Sequence, residues 1–162
     1  MRKFVIALFF FPMLVFACSV KPSENHEAVT PQVNEYPDIV LQFENGEQIS
    51  AKDLEGKNVF IMFQPECDHC QEEAVHIQQR LSEFKDYTLY FISSSPMDQI
   101  TEFAKTFDLD NKNNVKFSWT TTEGVLNTYG PIQTPSIYIY DGGKLKRSFN
   151  GQTEIETILE AL

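Results

Sequence analysis

Only three cysteines occur in 162 residues, too few to staple together a small domain without a core. Basic residues are scarce as well: 13 Lys and Arg stand against 23 Asp and Glu, a formal net charge of -10. A chain this acidic has no broad basic face for nucleic acid or an anionic lipid surface. Beyond one N-terminal apolar run there is no second long hydrophobic stretch, no repeat period and no heptad run. Multi-span membrane proteins, solenoids and coiled coils are thereby excluded. G-x-S-x-G, Walker A, G-x-G-x-x-G and H-E-x-x-H are missing too, and with them the chemistries those motifs carry. What is present is 42% hydrophobic and 22% charged residues, enough to build one packed domain.

Met1-Arg2-Lys3 precedes an apolar run from Phe4 to Phe16 that is interrupted only by Pro12. The run is shorter than the roughly 20 residues of a bilayer span and suits a signal-peptide core. It closes on Val15-Phe16-Ala17-Cys18, which resembles the lipobox of bacterial lipoproteins, with Phe16 bulkier than the residue usual there. The resemblance implies that residues 1–17 are removed and that Cys18 carries a thioether lipid. Removal of Arg2 and Lys3 would leave 11 basic against 23 acidic residues. Residues 18–37 hold Pro22, Pro31 and Pro37 and few apolar side chains. They read as a flexible tether with a reach of about 20–25 Å. The expected setting is the bacterial cell envelope, with membrane contact through the lipid alone and the domain, 38–162, facing the periplasm.

From Asp38 the pattern is regular. Ile39 to Phe43 is strand-like, Asn45-Gly46 is a hairpin signal, and Gln48 to Ser50 returns. Val59 to Phe63 reads as a central strand covered on both faces. Cys70, Ala74, Ile77, Leu81 and Phe84 lie at steps of four and three, predicting a helix from near Cys67 to about Lys85. Thr88 to Ile92 is a second buried strand. Ser95 is expected to cap the next helix, with Pro96 at its first position. A strand near Val115 to Phe117, a helix near Glu123 to Tyr129, a hairpin around Asp141-Gly142-Gly143 and a final helix bearing Ile155, Ile158, Leu159 and Leu162 complete the order. The fold class is α/β: a central mixed sheet with helices on both faces and an N-terminal β-hairpin.

Chemistry concentrates in Cys67-Asp68-His69-Cys70, placed directly after the central strand where the long helix opens. Residues i and i+3 of a first helical turn lie on one side, within disulfide reach. The first cysteine also sits at the positive end of the helix, beside unpaired N–H groups that favour thiolate. Cys67 is therefore read as the attacking sulfur and Cys70, on the apolar stripe, as the buried resolving one. The chain here resembles the thioredoxin superfamily, in its membrane-tethered branch of TlpA- or ResA-like thiol-disulfide oxidoreductases. The resemblance runs from about Ile39 to the C-terminus. It rests on Phe63-Gln64-Pro65-Glu66-Cys67-Asp68-His69-Cys70, on Glu73, on Tyr129-Gly130-Pro131-Ile132-Gln133-Thr134-Pro135, and on Asp141-Gly142 followed by Gly151.

The resemblance implies a thioredoxin-like fold and a redox-active Cys67–Cys70 disulfide, with no other cofactor. It makes Pro135 a cis-proline and the Thr134 backbone the place where an extended substrate docks. Glu73 matches a carboxylate of the tethered branch and is the expected proton acceptor for Cys70. His69 is expected to stabilise the Cys67 thiolate through its imidazole. Two positions depart from the pattern: Glu66 stands where Trp usually precedes the first cysteine, and Ile61 where thioredoxin itself has a buried Asp. Trp119 is assigned to core packing. The implied function is a thiol-disulfide oxidoreductase, most simply a reductase, acting on exported protein thiols and disulfides and served by a membrane or periplasmic electron donor. The alternative is a non-catalytic thioredoxin-fold lipoprotein that binds a partner or a metal.

No metal site is expected. Cys67, Cys70, His69 and His76 offer no second C-x-x-C for a zinc site, and the wider cysteine spacing of copper chaperones on this fold is not found. Peroxide chemistry needs Pro and Thr or Ser where this chain has Phe60 and Gln64. Asp108 to Asn113 starts like an EF-hand loop but lacks its Gly and its closing Glu.

Overall fold

The computed structural model describes residues 34–162; the leader, Cys18 and residues 19–33 lie outside the described residues. Seven strands form one sheet: β1 (Val40–Gln42), β2 (Gln48–Ser50), β3 (Lys57–Met62), β4 (Thr88–Ser93), β5 (Val115–Trp119), β6 (Ser136–Asp141) and β7 (Lys144–Asn150). Their spatial order is β2-β1-β5-β4-β3-β6-β7. β3, β4 and β5 run parallel; β6 and β7 add on antiparallel at one side, and the β1–β2 hairpin at the other. Four helices follow: α1 (Asp68–Gln79), α2 (Met97–Thr106), α3 (Thr122–Tyr129) and α4 (Ile155–Leu159).

Strand alternation separates two cores. Val59, Ile61 and Phe63 face one side, with Leu89 and Phe91 of β4 and Ile137 and Ile139 of β6. This face is covered by Ala74 and Ile77 of α1, Ile100 and Phe103 of α2, and Ile158 of α4. Phe60 and Met62 point the other way, beside Tyr90, Ile92, Tyr138 and Tyr140, and are covered by Tyr129 of α3 and by Tyr36. Each central strand is buried on both faces, which is why its sequence is a continuous apolar run. Trp119 packs at the margin of the first core.

Three expectations are corrected. The first concerns α1, which stops at Gln79. Arg80 leaves helical geometry (φ -113°, ψ 17°), and Leu81–Phe84 form a separate 3-10 turn. Phe84 is still fully buried, and its carbonyl accepts from Asn114 Nδ2 at 3.1 Å. The apolar spacing thus continues across a break that a spacing argument does not register. Secondly, Pro96 is the cap of α2 rather than its first residue, with extended backbone (φ -53°, ψ 144°). Its carbonyl accepts from Gln99 and Ile100, and it is Ser93 Oγ that accepts from the Ser95 N–H. The third correction is to the domain boundary, which lies before residue 38. Tyr36 is 8% exposed, its ring packs on Phe60 and Tyr140, and its hydroxyl bonds Asn58 and the Gly56 carbonyl. The Leu145 N–H donates to Asn34 O and the Tyr36 N–H to Gly143 O. Residues 34–37 therefore belong to the folded unit rather than the tether.

Candidate active site

β3 delivers the chain to the C-terminal edge of its parallel strands, and Gln64–Cys67 turn it into α1. The Cys67 N–H donates to Gln64 O at 3.1 Å, and Gln71 Nε2 donates to Pro65 O at 2.9 Å, clipping the turn to the helix. Cys67 is the N-cap of α1 with extended backbone, and Asp68 brings an acidic side chain to the first turn. Cys67 is half-buried, Cys70 is 2% exposed, and both are free thiols.

The two sulfurs differ in acidity. Burial raises the Cys67 thiol, but this is outweighed by hydrogen bonds from the Cys70 thiol, the Cys70 N–H, the Thr134 hydroxyl and the His69 N–H, and its pKa falls below the ordinary value. Burial pushes Cys70 up to about 12, and the neighbouring Cys67 adds to this against a Gln64 N–H that opposes it. One sulfur is set up to be a thiolate and the other to keep its proton.

Thr134 and Pro135 come to the pair from the loop before β6. The Thr134–Pro135 peptide is cis, and Cys67 Sγ donates to the Thr134 carbonyl at 3.5 Å. Asn150 Oδ1 accepts from the Gln133 N–H and from Ser136 Oγ, and the Gly151 N–H donates to Pro135 O, tying this loop to the end of β7. Gly151 has φ +94°, and a Cβ there would lie 3.1 Å from Gln133 Oε1, so a side chain is disfavoured on both counts.

Glu73 is 1% exposed. Oε2 accepts from the Thr153 N–H at 3.2 Å, while Oε1 is buried with no partner among the described residues. Burial pushes its carboxyl up to about 7, the Thr153 N–H works against that, and the nearby Glu154 charge adds to it. His69 is placed differently from its expected role. Its imidazole is exposed and its Nδ1 lies 3.8 Å from Glu72 Oε2, so it is His69's backbone N–H that acts on Cys67. Among the described residues, no group of His, Cys, Asp and Glu side chains converges in a way that could hold a metal. Sequence reasoning missed Thr153 and Asn150, which carry no motif; only the fold brings the end of β7 against α1 and the Thr134 loop.

A family model described as the AhpC/TSA family matches residues 33–148. "Thiol-disulfide oxidoreductase ResA" of Bacillus thuringiensis is 27% identical over 135 residues, spanning 79% of this chain and 75% of that protein. In structure, a secreted disulfide oxidoreductase of Mycobacterium tuberculosis aligns with a TM-score of 0.65 at 14% identity, over 76% of this chain and 93% of its own. Copper-bound ScoI of Arabidopsis thaliana aligns at 0.61 and 13%, over 79% and 94%. The fold is common to proteins of different chemistry, so the site has to decide the reaction.

Proposed function

The chain belongs to the AhpC/TSA family and is a thiol-disulfide oxidoreductase, and we propose that it works as a reductase of exported proteins through Cys67 and Cys70. One observation carries the use of this pair, as distinct from the direction of transfer: a thiol of lowered pKa at a helix N-terminus stands beside a buried thiol at about 12. In the first step the Cys67 thiolate attacks a substrate disulfide, forming a mixed disulfide and releasing one substrate sulfur, which takes up a proton. Cys70 then gives its proton to the Glu73 carboxylate and attacks Cys67 Sγ. The second substrate sulfur leaves as a thiolate and takes up the proton that Glu73 returns, and a Cys67–Cys70 disulfide remains. Two electrons and two protons pass to the substrate, and a thiol donor restores the pair.

Glu73 suits the proton step because a carboxyl near 7 both accepts and returns a proton at neutral pH. Thr134 and Pro135 are the proposed dock for the extended substrate backbone, beside the attacking sulfur. We assign Cys18 the lipid anchor and the periplasmic face of the envelope as the place of action. Intact-mass measurement of membrane-purified protein should find an acylated N-terminus at residue 18. The test of the activity is turnover of a small aromatic disulfide, together with the potential of the pair. A non-catalytic binding protein would show no turnover, and a potential above that of glutathione would turn the proposed direction around.

A further inference from the structure

Two clefts meet the Phe63–Glu66 turn. One, of about 390 Å³, runs between that turn, α3 and the loop before β6, with Leu126, Val125, Pro131, Ile132 and Thr134 among its walls. The other, of about 600 Å³, lies between the turn and α2, with Phe103 and Phe107 at its apolar side and Glu66, Asp98 and Glu102 around it. α2 and α3 cover opposite faces of the sheet, and the turn that leads into Cys67 contributes Phe63 and Gln64 to one cleft and Pro65 and Glu66 to the other. Thr134 joins the first cleft to the chemistry, since its carbonyl takes the Cys67 thiol while the residue lines the wall.

Leu126 is 48% exposed, one of three large apolar side chains left open among the described residues. Val40 lies on β1 and Val75 on α1, and neither lines this cleft. Leu126 is the one that stands in a cleft whose wall, at Thr134, contacts the reacting sulfur. The three carboxylates across the turn make that side acidic.

We propose that the Leu126 cleft takes an apolar side chain adjacent to the reacting cysteine of an extended, positively charged segment of the protein substrate. Leu126 and Ile132 provide the apolar contact, and Glu66, Asp98 and Glu102 attract the basic residues on the far side of that cysteine. The proposal rests on the oxidoreductase reading and adds to it the class of substrate.

The test uses the full chain, reduced, with disulfide-linked dimers of short single-cysteine peptides. Each peptide carries Leu or Ser beside the cysteine and Lys or Glu on its other side, in both orders along the chain. The Leu/Lys peptide in one order should exceed its Ser counterpart about tenfold in kcat/KM. Its advantage over the Leu/Glu peptide should shrink at high salt. Leu126→Ser should abolish the Leu preference and Leu126→Met retain it, while Glu102→Lys should invert the Lys-over-Glu preference. A twofold or smaller spread among peptides, with the small aromatic disulfide still turned over by the wild-type chain, overturns the cleft and leaves the oxidoreductase standing. If the wild-type chain turns over neither, both fall.

Discussion

The backbone N–H of Thr153 donates to Glu73 Oε2 at 3.2 Å, joining α1 to the turn before α4 across 80 residues of sequence. The bond holds one oxygen of a buried carboxylate, and the other has no partner among the described residues. A group held this way favours its neutral form, and that preference has consequences for both stability and rate.

The stability consequence has a definite sign. The folded carboxyl, at about 7, lies above its ordinary value of 4.5, so between those values the folded state binds more protons than the unfolded one. Its contribution is fully present below pH 4.5, declines as pH rises, and is lost above about 7. Wild-type protein should therefore lose roughly 3 kcal/mol between pH 4.5 and pH 8, at 1.36 kcal/mol per pH unit. Glu73→Gln should lack this loss. Urea unfolding of both proteins at pH 5 and pH 8 gives the comparison, and parallel pH dependence would put the raised pKa elsewhere.

The rate consequence concerns Cys70. Glu73→Gln should slow resolution of the mixed disulfide about 10²-fold, within the usual range for a lost general base, and remove the rise in turnover near pH 7. Stopped-flow kinetics of the second step across pH 5 to 9 would read it. An unaltered profile would exclude the carboxylate from the proton path.

The division of labour between the sulfurs predicts opposite trapping behaviour. Cys70→Ser should accumulate covalent complexes with substrate proteins on non-reducing gels, because the attacking thiolate survives and its resolving partner is gone. Cys67→Ser should accumulate none, since the remaining thiol is buried and titrates at about 12.

The His69 N–H, rather than its imidazole, bears on Cys67. His69→Pro removes that donor in a first helical turn that tolerates proline. It should raise the Cys67 pKa and make the potential more negative, by about 30 mV for each 1.4 kcal/mol of thiolate stabilisation lost. His69→Ala retains the N–H and should move both values less. Thiolate absorbance against pH, with equilibration against glutathione, distinguishes the two; a larger shift for alanine would restore the imidazole to the role.

Tyr36 should prove to be part of the fold. Tyr36→Ala removes a ring packed on Phe60 and Tyr140 and leaves Asn58 with one partner fewer. A cost of about 3–5 kcal/mol is expected from thermal or urea unfolding. A chain starting at residue 34 should match the longer one in stability, whereas one starting at residue 38 should not.

Most of the sheet was readable in the sequence because strand signals are local. The Asn45-Gly46 turn and the apolar runs at Val59–Phe63 and Thr88–Ile92 each announce themselves within a few residues. The cysteine pair was readable for the same reason, as one tetrapeptide at one strand-to-helix junction. Where the reading fell short, distant contacts decided. Arg80 ends α1 while Phe84 keeps the spacing of a helix, and Asn114, thirty residues on, holds the Phe84 carbonyl. Glu73 resembles any solvated helix carboxylate until Thr153 and the turn before α4 close over it. Tyr36, set among prolines and acids, is claimed by a pocket built from β3 and β6. His69 was placed correctly at the helix start, but the direction of its ring depends on Glu72 and not on the motif.

The bonds from Asn34 and Tyr36 to Leu145 and Gly143 also set an orientation. The β6–β7 turn lies beside Lys57, where β3 begins, and Cys67 lies just past its other end. The chain thus enters the domain at one pole and reacts at the opposite one, separated by the length of β3, about 17 Å for its six residues. The cysteines therefore lie at the end of the domain opposite the point where residue 34 enters it. If the proposed Cys18 anchor holds the chain, the reacting pole is the one farther from the point where the tether joins the domain, and a partner in the same membrane reaches it when the tether lets the domain turn over.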